Sequence, residues 1–207
     1  MIHLTVTSLK KSFGRKVVFN GLSFTSTSRV IGVSGINGSG KSTLLRCLSG
    51  LLAPSKGSIE WNVKSENYTP KKIRGQIGYV APYINLYEEL TVFENLNFLI
   101  QLQSVKSTNS DTIKKHLLQF DAHTLVNQPF GDLSTGQQQR IKLTAAILHK
   151  PDILFLDEPG TNLDSKGKQS VRRLIDSFRN QNKMLILASN QADELDQCDE
   201  ILELTNN

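Results

Sequence analysis

Cysteine is scarce in this chain: Cys47 and Cys198 are the only two in 207 residues, with no Cys-x-x-Cys pair and no histidine ladder beside them. Such spacing excludes a disulfide framework and a structural zinc site, and it predicts two reduced thiols. Long hydrophobic runs are missing too. The longest, such as Met184 to Ala188, are strand-sized and far short of the roughly 20 apolar residues that a membrane-crossing helix needs. The start, Met1-Ile2-His3-Leu4-Thr5, has no charged region leading into an apolar one. The sequence therefore predicts no signal-peptide export and a cytoplasmic protein. Repeats are absent, and the single low-complexity patch, Ser104 to Ser110, reads as a loop between helices. A last strand-like stretch, Ile201 to Leu204, lies close to the final residue, which sets the expectation that no C-terminal regulatory domain follows.

The residues present describe one globular domain. Hydrophobic residues make up 38%, and the 14 glycines bring the apolar share to about 45%. The net charge of +5 hides an asymmetry: residues 1 to 75 carry 12 basic and 2 acidic side chains, and the remainder 12 basic and 17 acidic. Taken alone, the basic third raises the possibility of a nucleic-acid or anionic-membrane partner.

Strand signals come first, at Leu4 to Val6, Val17 to Phe19, Leu22 to Phe24 and Val30 to Val33, broken by Gly14, Gly21 and serines. Helical periodicity follows. Thr91 and Glu94 form a capping box ahead of Val92, Leu96 and Leu99. Val171, Leu174, Ile175 and Phe178 share one helical face, flanked by the apolar strands Ile153 to Leu156 and Met184 to Ala188. Strand, helix, strand with continuous apolar strands predicts an α/β protein with a parallel sheet covered on both faces.

The sharpest local signal is Gly35-Ile36-Asn37-Gly38-Ser39-Gly40-Lys41-Ser42, which follows one of these strands and opens a helical pattern from Thr43 to Leu52. Glycines let the backbone wrap a polyphosphate, and N–H groups then converge on it at a helix N-terminus. In that pattern Lys41 reaches the β and γ phosphates and the Ser42 hydroxyl ligates Mg²⁺. A matching acid stands at the end of Ile153-Leu154-Phe155-Leu156-Asp157-Glu158. Asp157 is placed to hold Mg²⁺, and Glu158 to polarise an attacking water as general base.

Between the two lies Leu133-Ser134-Thr135-Gly136-Gln137-Gln138-Gln139-Arg140. Here the chain resembles an ATP-binding cassette (ABC) nucleotide-binding domain, whose signature is LSGGQ, with Thr135 in place of the first glycine. The resemblance extends over essentially the whole chain. It implies a P-loop NTPase (RecA-like) core with a mostly parallel sheet, an N-terminal antiparallel β subdomain and an inserted α-helical subdomain. The implied division is a single domain, 1–207, with about 1–80 and 151–207 as core plus β subdomain and about 81–150 as the helical part.

By the same resemblance, Ser134, Gly136 and Gln137 close over the γ-phosphate of ATP held by a second nucleotide-binding subunit, identical or not, in a head-to-tail dimer. Phe13 stands where an aromatic stacks on adenine. Asp164, in Gly160-Thr161-Asn162-Leu163-Asp164, stands where the D-loop communicates across the dimer. The stretch from Ile77-Gly78-Tyr79-Val80 through Leu90-Thr91-Val92-Phe93-Glu94-Asn95-Leu96 resembles the segment that receives a separate transmembrane permease subunit. The cofactors implied are ATP and Mg²⁺, and the location implied is peripheral, on the inner face of the membrane.

Two positions depart from the family pattern. Pro82 occupies the place of the Q-loop glutamine and offers neither an amide side chain nor an N–H. Asn190 replaces the histidine that follows the strand Met184 to Ala188; it can donate a hydrogen bond but carries no charge. A lost transition-state contact of this sort costs about 2 to 4 kcal/mol. The expectation is a slow or partner-stimulated Mg-dependent ATPase that drives an ABC transporter. Short haem-exporter cassettes are loosely similar in length and in lacking the glutamine. The alternatives are a low-turnover ATP-gated clamp and a soluble ABC ATPase acting on DNA or ribosomes. Relatives of the soluble kind usually carry two cassettes or a long coiled-coil insertion, so no nucleic acid is expected. The basic third then reads as the phosphate side of a composite nucleotide site.

Overall fold

The computed structural model describes residues 1–102 and 110–205; the low-complexity patch falls, apart from the backbone of its last residue, outside them. In chain order the elements are β1 (Ile2–Phe13), β2 (Lys16–Ser26), β3 (Val30–Ser34), α1 (Lys41–Leu48), β4 (Lys56–Val63), β5 (Glu66–Tyr68), β6 (Ile77–Val80), α2 (Val92–Leu102), α3 (Ser110–Gln119), α4 (Thr135–Ile147), β7 (Ile153–Asp157), α5 (Ser165–Asn180), β8 (Met184–Ala188), α6 (Ala192–Leu195) and β9 (Glu200–Glu203). They build two sheets, one of four strands in the order β2-β1-β4-β5 and one of five in the order β6-β7-β8-β3-β9. The first is antiparallel and the second parallel throughout.

The expected parallel sheet is present, and its buried strands explain the unbroken apolar runs. Every residue of β7 and β8 is buried. Alternation along each strand sends Ile153, Phe155, Met184 and Ile186 into one core with α1 and the antiparallel sheet. Leu154, Leu156, Leu185 and Leu187 point the other way, against Val171, Leu174, Ile175 and Phe178 of α5. Each such side chain contributes about 1.5 to 3 kcal/mol by leaving water. A third core, centred on Val92, Leu96, Ile113, Leu117 and Ile141, holds α2, α3 and α4 together.

Some boundaries differ from the expectation. Val17 to Phe19 and Leu22 to Phe24 belong to one strand, β2, which passes through Gly21 at φ 76° and pairs with β1 across register shifts. Bulges absorb the glycine without ending the strand. The helix after the glycine-rich loop runs from Lys41 to Leu48, not from Thr43 to Leu52. It ends where Gly50 turns to φ 75° and donates its N–H to Cys47 O. The indole of Trp61 donates to Leu48 O at 3.0 Å, satisfying a carbonyl of that helix end and tying β4 to it. Both cysteines are free; burial raises the Cys47 thiol pKa to about 11 and that of Cys198 to about 12. Among the described residues, no helix is long and apolar enough to cross a membrane.

Candidate functional site

The glycine-rich loop leaves the C-terminal end of β3 and turns directly into α1. Two of its glycines are demanded sterically. Gly35 has φ 146°, and a Cβ there would sit 2.6 Å from Ser39 Oγ and 2.7 Å from Leu204 O. Gly40, at φ 104°, caps α1 and leaves no room beside Val18 Cγ1, 2.5 Å from the position of a Cβ. Lys41 folds back over the loop, its Nζ donating to Gly35 O at 2.7 Å and to Ile36 O at 3.4 Å. The result is an open cavity of about 390 Å³ whose wall includes Phe13, Lys16, Asn37, Gly38, Gly40, Lys41, Ser42, Thr43 and Glu158. Ser39 lies behind this wall, with a buried hydroxyl that has no hydrogen-bond partner among the described residues.

The carboxylates arrive from the end of β7. Ser42 Oγ donates to Asp157 Oδ1 at 3.0 Å, while Asp157 Oδ2 is buried with no hydrogen-bond partner among the described residues. Burial raises the Asp157 carboxyl above its usual range, against the pull of Ser42 and Lys41. Glu158 sits at φ 51°, a left-handed conformation, and its N–H donates to Ala188 O at 2.9 Å. Its Oε1 is 3.9 Å from Lys41 Nζ, and burial raises its pKa with Lys41 opposing. Asn190, just past β8, donates through Nδ2 to Asn37 Oδ1 at 3.2 Å.

These oxygens suit a hard cation. One hydroxyl and one buried carboxylate oxygen without a partner match Mg²⁺, which takes one or two protein ligands and completes its shell with phosphates and water. Among the described residues, no group of three or more His, Cys, Asp or Glu forms a metal site. The fit is thus to an ion shared with a polyphosphate.

The remaining predicted residues gather elsewhere. Ser134 caps α4 in a complete capping box: Gln137 N donates to Ser134 Oγ at 3.3 Å, and Ser134 N donates to Gln137 Oε1 at 2.9 Å. Gly136 is required by contact, since a Cβ would lie 2.7 Å from Asn162 O. Asp164 Oδ1 caps α5 by accepting from Gly167 N at 2.8 Å and also meets Arg140 Nη2 at 2.6 Å. Ser134, Gly136, Gln137 and Asp164 line a second cavity of about 490 Å³, apart from the phosphate loop. The two cavities share no lining residue.

The departures keep their places. Pro82 follows β6, and its carbonyl accepts from Lys142 Nζ at 3.4 Å. Asn85 lines a different groove, with Leu86, Leu99 and His149. Two residues the sequence reading passed over join the parts. Buried Gln139 donates through Nε2 to Pro159 O at 3.0 Å, linking α4 to the turn after Glu158. Glu194, also buried, presses on Gly160, where a Cβ would be 2.0 Å from its Oε1. The only sequence signal for either was a polar residue at a core-facing position.

A glycine-rich loop running into a helix, beside an acid at the end of a neighbouring parallel strand, defines the P-loop nucleotide-binding class. Within it, the family model described as ABC transporter matches residues 19–161, and the chain belongs to that family. Its curated relatives include the ABC transporter ATP-binding protein YhaQ of Bacillus subtilis, 30% identical over 196 residues, covering 94% of this chain and 65% of that protein. Another is the Nod factor export ATP-binding protein I of Rhizobium leguminosarum bv. viciae, 32% identical over 206 residues, covering 98% of this chain and 66% of that one. The chain thus spans just under two thirds of the length of these relatives. Among solved structures, the ATP-binding cassette MJ0796, seen as a dimer bound to ADP and Pi, superposes with a TM-score of 0.86 at 22% identity, covering 98% of this chain and 94% of that one. The fold is that of an ATP-binding cassette.

Proposed function

We propose that the chain binds and hydrolyses ATP as the motor subunit of an ABC transporter, two cassettes closing head to tail and driving a separate transmembrane permease. The observation that carries this reading is the convergence of two distant segments: Lys41 and Ser42 line one cavity with Glu158, and Asp157 accepts from Ser42 Oγ beside it. The loop N–H groups and the N-terminus of α1 hold the polyphosphate. Phosphate oxygens, being charged acceptors, draw Lys41 Nζ away from Gly35 O. Ser42 and Asp157 would hold Mg²⁺, which when bound neutralises charge on the β and γ phosphates.

Glu158 orients the water and accepts its proton. Oxygen bonds to the γ-phosphorus, the bond to the bridging oxygen breaks, and ADP leaves with that oxygen. Its raised pKa makes Glu158 a better base than an exposed glutamate. Phe13, 49% exposed on the cavity rim, supplies a face for adenine. The separation of the Ser134 and Lys41 cavities supports a composite site, since a hydroxyl and a helix N-terminus that face no phosphate in their own chain can face one in a second copy. The helices α2 to α4, with their own core, support the division that sets about 81–150 apart as a helical subdomain. Location follows from the permease: peripheral, on the cytoplasmic face.

Pro82 and Asn190 set turnover low. Purified protein with ATP and Mg²⁺, compared with Glu158→Gln, tests the reading. Phosphate release that falls to background in the variant, with ATP still bound, is the expected result. Equal release would remove Glu158 as the base, and absence of ATP binding in the unaltered chain would remove the function.

A further inference from the structure

A cavity of about 350 Å³ lies where α3, α4 and α5 meet the starts of β7 and β8. Lys150 and Pro151 line it just before β7, and Lys183 just before β8. Asp157 ends β7 at the opposite side, and Glu158 and Asn190 follow the far ends of the two strands, a strand length of roughly 17 Å away. This hollow is no part of the nucleotide site.

Its floor is apolar, built from Phe120, Ile147, Leu174 and Phe178, each buried in the core below. Its rim is cationic. Lys150, Arg173 and Lys183 all line it, and among the described residues none of the three has a salt bridge. Of the acids nearby, Asp121 also lines the cavity and pairs with Arg140 at 3.7 Å, and Asp152 pairs with Lys64 at 2.9 Å while its charge reaches Lys183. Lys183 Nζ rests 5.4 Å from the centre of the Phe178 ring and 3.4 Å from Lys150 O. Arg173 Nη2 donates to Ser170 Oγ at 2.9 Å. Burial lowers the pKa of Lys183, with Asp152 opposing and Lys64 and Lys150 adding to the fall; burial also lowers that of His116, with Gln119 opposing and Lys150 and Lys115 adding to it.

We propose that this cavity binds a small amphipathic carboxylate, its anionic head among Lys150, Arg173 and Lys183 and its apolar body over Phe120, Leu174 and Phe178. An inorganic anion would make no use of the apolar floor, and a neutral lipid would make no use of the three rim cations. The volume falls at the small end of the range of about 300 to 1,000 Å³ typical of ligand pockets. A ligand there touches α3 of the helical part and α5 of the sheet core at once, so it joins two bodies with separate cores. The inference stands independently of ATP hydrolysis.

Decanoate is the probe, titrated calorimetrically into the full chain, with decanol and acetate as controls. Saturable binding of one decanoate per chain is expected, with both controls at least about tenfold weaker. The double variant K150Q/R173Q, at two exposed positions, should lose about tenfold or more in affinity while keeping its thermal melt. ATP with Mg²⁺ should leave decanoate binding in place. Absence of saturable binding, equal affinity for acetate, an unaffected double variant or competition by ATP would each overturn the proposal.

Discussion

Ser42 Oγ donates to Asp157 Oδ1 across 3.0 Å and 115 residues of sequence, while the other carboxylate oxygen of Asp157 is buried with no partner among the described residues. Burial disfavours the charged carboxylate, so the site holds an acid in a place that costs stability. Asp157→Asn therefore separates folding from function. The variant should melt at a temperature equal to or above that of the parent in the absence of nucleotide. Its Mg²⁺-dependent phosphate release should fall by at least about a hundredfold. Calorimetry and a phosphate assay read the two effects, and a variant that is less stable yet fully active would contradict this account.

The phosphate loop and its acid were legible because each rests on local chemistry. Gly35 and Gly40 stand where positive φ and close contact exclude a Cβ, and Asp157 ends a run of four apolar residues that only a buried strand explains. Less was legible where partners are far apart in sequence. Nothing in the neighbourhood of Trp61 announces that its indole closes on Leu48 O, so β4 and β5 went unread. The Arg140 tie to Asp164 was hidden for the same reason. Asp164 read as a D-loop acid, and the structure adds that its carboxylate caps α5, a role that a capping aspartate shows only once the helix start is known. Gly136 read as a bare N–H for an anion, whereas the contact at Asn162 O requires a glycine there whatever it binds.

That contact makes Gly136→Ala informative. The added methyl must push the N-terminus of α4 away from the loop at Asn162, because backbone oxygen cannot yield as a flexible side chain would. Helix propensity favours alanine by about 1 kcal/mol, and overpacking opposes it with about 1 to 3 kcal/mol. Net destabilisation is expected from urea denaturation. A stabilised variant would mean that the helix shifts without cost.

Asn190 supplies a test in the direction of gain. Its Nδ2 already reaches Asn37 Oδ1 at 3.2 Å, so the position faces the phosphate loop. Asn190→His restores a donor that can carry charge as negative charge develops on the transferred phosphoryl group. An increase in kcat of about tenfold, equivalent to about 1.4 kcal/mol, is expected with little change in KM. A rise in KM with no change in kcat would show that the position senses ground-state binding instead.

His149 gives the fold a pH dependence of its own. Its Nε2 lies 3.1 Å from Ile77 O, and its Nδ1 is buried without a partner among the described residues. Burial lowers the imidazole pKa below 6.5, with the bond to Ile77 opposing. The unfolded chain therefore takes up the proton more readily than the folded one. Stability from this ring is complete above 6.5 and is lost as pH falls through the lower folded value. His116 shifts in the same direction, while the raised carboxyls of Asp157, Glu158 and Glu194 act oppositely, so the total slope mixes several groups. Comparing the parent with His149→Gln isolates one of them. The glutamine amide can still donate to Ile77 O but cannot titrate. Urea midpoints measured on both sides of 6.5 should fall more steeply with acid in the parent than in the variant. Parallel slopes would mean that the imidazole is protonated without cost, which an unpartnered buried nitrogen does not allow.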